Sequence, residues 1–123
     1  MNDDYVKILD LLKKYLDLLF RGDTGIIDQV FFPQATVSSV NNGKIISIDM
    51  IGFHERIYNR KSPESTGEKR EDKILLIDIS SPTTAIAKVE CMILKNHYID
   101  YLSLVKVKGE WGIISKVFHM KTD

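Results

Sequence analysis

TAIAKVECMIL (Thr84–Leu94), YIDYLSLVKVK (Tyr98–Lys108) and EWGIISKVFH (Glu110–His119) follow one another almost without interruption. Each segment is rich in β-branched and aromatic residues and alternates apolar with polar positions, the period of a half-buried strand. The intervals between them hold three residues and one, too few for a crossover, so the three strands form an antiparallel meander. The remaining chain then has to cover one face of that sheet.

Register follows from the turns. Lys108-Gly109 suits a two-residue turn, which pairs Val107 with Glu110 and Leu104 with Ile113. Lys95-Asn96 can act in the same way, pairing Val89 with Leu102. Strict alternation places Ala85, Ala87, Val89, Cys91, Leu102, Leu104, Trp111, Ile113 and Val117 on a core face. Ile86, Lys88, Glu90, Tyr101, Ser103, Ile114, Lys116 and Phe118 fall on the other. Asp100, Tyr98 and His119 are polar intruders at one end of the core face, with Tyr98 opposite His119.

Outward from the meander, Asp3 to Arg21 has helical periodicity. Tyr5, Leu9, Leu12, Leu16 and Leu19 share one face, and Ile8, Leu11, Tyr15 and Leu18 widen it, so the helix is expected to be covered on more than one side. Asn2 or Asp3 can cap its start and Gly22 its end. Asp23 opens a second, short helix that ends near Pro33, and Ala35–Val40 reads as a strand. Asn42-Gly43 is a strong hairpin signal returning through Ile45 and Ile46. Ser47 is the expected cap of a third helix over Ile48–Asn59, Lys61–Glu71 reads as an exposed polar loop, and Lys73–Ile79 as a further strand. The sum is an α+β fold over 1–123, a single domain with three N-terminal helices on a curved, mainly antiparallel sheet.

At 123 residues such a domain buries roughly two thirds of its unfolded surface. Lysine plus arginine and aspartate plus glutamate both number 17, giving zero net charge, and no basic stripe is visible, which argues against a nucleic-acid partner. A lone cysteine, Cys91, excludes an intramolecular disulfide. The acidic start argues against a signal peptide, and Lys13, Lys14 and Asp17 interrupt the most apolar segment, so a cytoplasmic protein with no membrane partner is expected.

The arrangement resembles the nuclear transport factor 2-like (cystatin-like fold) superfamily, and within it the putative lumazine-binding, SnoaL-related group. The residues that carry the likeness are KVEC (Lys88–Cys91), DYLSLVKV (Asp100–Val107), GEWGIISKVFH (Gly109–His119), the helix ending Arg21-Gly22-Asp23, and VFFPQA (Val30–Ala35). The resemblance implies a cone of helices on a bent mixed sheet, a concave pocket, and dimerisation through the sheet. Members of the superfamily include isomerases, dehydratases, cyclases and transport adaptors, so it does not imply one activity.

Asp100 with His119 is the candidate catalytic pair, because enolisation or dehydration needs a carboxylate or imidazole of tuned pKa at the pocket. The plainer reading is that the two satisfy one another's hydrogen bonds. Tyr98, Tyr15, His54, Tyr58 and Trp111 are candidate ligand-binding residues, with His54 and Tyr58 on one helix face; all are equally core or rim positions. Lys88, Glu90, Tyr101, Ser103 and Lys116, mixed with apolar neighbours, are the candidate dimer interface. Cys91 reads as an inert buried thiol, and His54, His97 and His119 lie on different elements, so neither a metal nor a cofactor is implied. The expectation is a homodimer binding a small apolar or aromatic ligand. The alternatives are an isomerase, dehydratase or cyclase-type enzyme using the Asp/His pair, and a scaffolding domain.

Overall fold

The structure is a computed structural model, and it describes residues 2–121. Helix α1 spans Asn2–Arg21; a 3-10 turn (Thr24–Ile26) leads into the four-residue α2 (Ile27–Val30). Strands β1 (Phe31–Asn41) and β2 (Lys44–Ile48) form a hairpin, followed by α3 (Met50–Asn59). The meander is β3 (Asp72–Ser81), β4 (Thr84–Ile93), β5 (Asn96–Val107) and β6 (Glu110–Lys121). The six strands lie in the order β2-β1-β6-β5-β4-β3, antiparallel throughout except where β1 runs parallel to β6. The helices cover the concave face, giving the α+β cone with a mixed sheet.

Three of the strand connections are two-residue turns with both residues at positive φ: Asn42-Gly43 (52° and 76°), Leu94-Lys95 (51° and 69°) and Lys108-Gly109 (51° and 81°). The first and third are where the turn chemistry puts them. The second is one residue earlier than Lys95-Asn96, because Leu94 takes a left-handed conformation its side chain disfavours while packing against the core. Val89 therefore pairs with Asp100, and Leu102 with Ala87. This register differs by two residues, so every side chain on β4 and β5 keeps its expected face.

β6 behaves differently. Leu104 pairs with Ile113 but Ser103 pairs with Ser115, leaving Ile114 as the extra residue of a bulge. From there to the C-terminal end of the strand the alternation is inverted. Lys116, opposite Leu102, points to the core side and is 7% exposed, whereas Val117 is 48% exposed. Val117 is thus not a core residue, and Lys116 is not part of the outer face. Further irregularities in β3–β4 and between Phe31 and Thr36 of β1 bend the sheet. Pro33, which has no N–H to give to a ladder, sits within the irregular part of β1.

In α1 the buried apolar residues are Ile8, Leu11, Leu12, Tyr15, Leu16, Leu18 and Leu19, so the stripe expected to widen the apolar face is its centre, and Tyr5 is half exposed. Ser47 does not cap α3. It stays in β2, its hydroxyl 2.9 Å from that of Ser38, and Asp49 accepts the Gly52 N–H instead. Asp23 caps the 3-10 turn through the Gly25 N–H. The segment 60–71 is polar but anchored: the Glu64 N–H donates to the Phe20 carbonyl, and Arg70 reaches Asp17 and Asp72 at 2.7 and 2.8 Å. No helix among the described residues is long and apolar enough to cross a membrane.

The start of α1 is fastened to the β5–β6 hairpin by Asp4, which accepts from the Trp111 indole N–H (2.9 Å) and from Lys106 Nζ (3.1 Å). The bond from Trp111, then that from Lys106, holds the Asp4 carboxyl below its ordinary 3.8. A carboxyl depressed on folding stabilises above its unfolded pKa and loses that contribution as pH falls through its folded one. Asp4→Asn is therefore expected to be less stable than wild type at neutral pH. The deficit should close as pH drops below 3.8, as read by urea unfolding across that range.

Candidate functional site

The site begins with a carboxylate where alternation demands an apolar residue. Tyr98, Asp100, Leu102 and Leu104 are the inward positions of β5, and Asp100 is 1% exposed. A charge so placed is costly unless partnered. Its first partner comes from α1: the Tyr15 hydroxyl, fully buried, donates to Asp100 Oδ2 at 2.7 Å. The second comes from β6, where the bulge turns Lys116 inward and brings its Nζ to 3.8 Å from the same oxygen. The other oxygen, Oδ1, is buried and has no hydrogen-bond partner among the described residues.

Three rings surround the Lys116 ammonium, with centroids 5.2 Å (Tyr15), 5.3 Å (Phe53) and 5.4 Å (Phe118) from Nζ. Such contacts offset part of the cost of removing a cation from water. Phe31 fixes this wall, edge-on to Tyr15 and 5.2 Å from Phe53. Burial pushes the Lys116 ammonium below its ordinary pKa; the Asp100 carboxylate opposes that shift, and Arg60 and Arg56 reinforce it. Burial, then the Asp100 charge, raises Tyr15 well above the ordinary phenol range, so it stays a hydrogen-bond donor. Burial likewise pushes the Cys91 thiol up to about 12, far from a reactive thiolate.

Asp100 and Lys116 lie at the floor of an open cavity of ≈ 970 Å³. Phe53, Arg56 and Arg60 line it from α3 and its C-terminal end, Tyr98 and Phe118 from the sheet, and Ser38–Asn42 with Ile45 and Ile46 from the β1–β2 hairpin. Tyr98 and Phe118 pack against each other at 5.9 Å. Arg56 and Arg60 are one helical turn apart, and neither forms an ion pair with a carboxylate among the described residues.

Several candidate residues are placed elsewhere than the alternation predicts. His119 pairs with Ile99, not Tyr98, and is exposed at the cavity edge; Asp100 bonds Tyr15 and faces Lys116 instead of it. The inverted alternation after Ile114 is the reason. His54 and Tyr58 lie on the solvent side of α3, Tyr58 being 76% exposed, because Phe53 and Ile57 are the buried positions of that helix. Trp111 lies outside the cavity lining, at the N-terminal end of α1 with its N–H given to Asp4. Tyr15 and Tyr98 are brought to Asp100 and to the cavity wall respectively. On the outer face, Lys88 and Tyr101 pair, with Lys88 Nζ 5.4 Å from the ring, while Glu90 is bonded to His97 at 3.0 Å. Lys116 is absent from that face.

Arg56, Arg60, Phe53 and the inward Lys116 are the site residues that alternation alone does not find. A signal was present: Ile114 and Phe118 on a nominally outer face are as consistent with a bulge as with an interface.

The family model described as "Putative lumazine-binding" matches residues 3–119. The chain belongs to this family. It is 26% identical over 120 residues to Aldolase FrzH of Cladobotryum sp, covering 96% of this chain and 92% of that one. An NTF2-like protein of unknown function from Shewanella baltica superposes with a TM-score of 0.88 at 27% identity, covering 98% and 96% of the two chains. One from Silicibacter pomeroyi, also of unknown function, gives 0.86 at 19% identity with 98% of each chain covered. The fold is that of the nuclear transport factor 2-like, cystatin-like superfamily.

Removing one member of the buried pair leaves the other uncompensated. Lys116→Met is expected to lower stability by about 3–5 kcal/mol. Adding Asp100→Asn, which neutralises the carboxylate while still accepting from Tyr15, should restore most of that loss. Urea denaturation of the two single variants and the double variant checks the cycle.

Proposed function

We propose that this domain binds a small organic molecule in the cone, with Asp100 accepting a hydrogen bond from the ligand. The observation that carries the reading is Asp100 Oδ1, a buried acceptor with no partner among the described residues, at the floor of an open cavity. Such an atom forfeits the full cost of its desolvation until an N–H or O–H reaches it. The cavity is of the size that takes a drug-sized ligand, and its mixture of aromatic walls and a few convergent polar groups is that of a ligand site. Lumazine, named in the family description, carries N–H groups of the required kind and is a natural first probe. Native mass spectrometry of the purified protein, with fluorescence titration of lumazine, tests the reading. A retained mass or a saturable titration is expected, with affinity reduced about ten- to hundredfold in Asp100→Asn, the worth of one hydrogen bond to a charged group. No adduct, no titration and no thermal shift with a metabolite set would exclude it.

The likeness to an aldolase favours a second reading, in which the same cavity performs carbonyl chemistry. Asp100 is the group suited to remove a proton from carbon, with Tyr15 and Lys116 beside it to stabilise charge. Turnover lost in Asp100→Asn with folding intact is its signature.

We also propose that the outer face of the sheet pairs two copies of the chain. Leu76, Ile86, Tyr101 and Val117 are exposed on β3 to β6 and are interspersed with Lys88, Glu90 and Ser103, the apolar and polar mixture of an interface. Light scattering at micromolar concentration should give a dimer, and Tyr101→Asp with Val117→Asp should dissociate it; a monomeric wild type removes the idea.

A further inference from the structure

We propose that Lys116 captures the carbonyl group of a small anionic aldehyde or ketone as a covalent imine, with Arg56 and Arg60 receiving the ligand's anionic group. The inference rests on the ligand-binding reading above and names its substrate class. Three observations carry it. Lys116 is a buried amine, 7% exposed, lining a cavity large enough for a metabolite. Its neighbours are aromatic faces and one carboxylate oxygen at 3.8 Å, beyond hydrogen-bond distance, so Nζ is held in place with no donor-acceptor bond to break. Arg56 and Arg60 line the same cavity and have no carboxylate partner among the described residues, a planar and bidentate match to a carboxylate or phosphate. Burial, opposed by the Asp100 carboxylate and reinforced by both arginines, lowers the basicity of Lys116, the direction that favours a nucleophilic amine.

The step balances within the cluster. Lys116 Nζ first closes from 3.8 Å to hydrogen-bond distance of Asp100 Oδ2, and its ammonium then passes one proton to that carboxylate. The Nζ lone pair attacks the carbonyl carbon, and the C=O electron pair moves to oxygen, which takes a proton from nitrogen to give a neutral carbinolamine. Asp100 returns its proton to the hydroxyl, the C–O bond breaks, and water leaves. The product is an iminium carrying the one remaining nitrogen proton, with Asp100 again a carboxylate. The charge before and after is the same, and the rings of Tyr15, Phe53 and Phe118 face the iminium as they faced the ammonium. Asp100 is then beside the carbon acid that an iminium creates.

The test is reductive trapping on the full chain. Glyoxylate, glyceraldehyde 3-phosphate and neutral propanal are each incubated with the protein and sodium cyanoborohydride near neutral pH, and the adduct is mapped by peptide mass spectrometry. Expected is preferential labelling of Lys116 by the anionic aldehydes, ahead of every exposed lysine and of propanal. The faster of the two anionic probes identifies carboxylate or phosphate as the group held. Lys116→Arg, which keeps the cation but cannot form the imine, should lose the adduct while the surface lysines react as before. Arg60→Gln should slow labelling by glyoxylate about tenfold, the worth of a charge-assisted contact, and leave propanal unchanged. The mapping on wild type decides the matter even if a variant fails to fold. Labelling spread over exposed lysines with none on Lys116 overturns the proposal. So does labelling of Lys116 that is equal for propanal and indifferent to Arg60. Lumazine or native-mass binding that persists without an adduct separates failure of the imine from failure of the cavity reading.

Discussion

The arrangement of the whole inner face depends on one extra residue in β6. Without Ile114 standing outside the ladder, strict alternation would put Ser115, Val117 and His119 against the helices and leave Lys116 and Phe118 on the outer face. The bulge exchanges these sets. It delivers a cation to the inward carboxylate of β5 and a ring to the cage around that cation, and it adds to the bend that makes the sheet concave. The same strand forms the parallel pairing with β1, so the bulge lies at the junction of meander and hairpin.

The cluster so formed is held by elements distant in sequence. Tyr15 belongs to α1, Phe53 to α3, Asp100 to β5 and Lys116 to β6. A buried ion pair contributes little net stability of its own, since desolvation consumes most of the attraction. Its effect is on uniqueness: any packing that misplaces one of the four leaves a charge or a hydroxyl buried without a partner. Two cations at the rim and one at the floor, against a single carboxylate inside, bias the cavity toward negative ligands although the chain as a whole is neutral.

Most of the fold was legible in the sequence because its signals are local. Asn42-Gly43 and Lys108-Gly109 specify turns, and the alternation through Tyr98, Asp100, Leu102 and Leu104 reveals Asp100 as an inward charge. The Leu94-Lys95 turn was not, since core packing of Leu94 outweighs its reluctance to adopt positive φ. The site was legible only in part. Asp100, Tyr15 and Tyr98 are found by pattern, but Lys116 and His119 exchange faces at a bulge that has no glycine or proline of its own to announce it. Arg56 and Arg60 escape notice because their helix reads as an ordinary amphipathic one, and only the tertiary fold shows which polar flank meets the cavity.

The tip of the β1–β2 hairpin supplies part of one wall of the cavity yet stands apart from the core, which β1 joins through Phe31, Ala35 and Val37. Val40 is 70% exposed and Ile45 79% exposed, and within the sheet β2 is bonded to β1 alone. The exposed tip residues that shape the entrance are therefore set apart from those that hold the charged floor. A substitution, insertion or deletion at the hairpin tip can alter the width and greasiness of the opening while the Tyr15–Asp100–Lys116 cluster is untouched and the core loses nothing. The domain is thus divided into an interior where substitution is costly and a hairpin tip where it is cheap, so the opening can be reshaped without disturbing the fold.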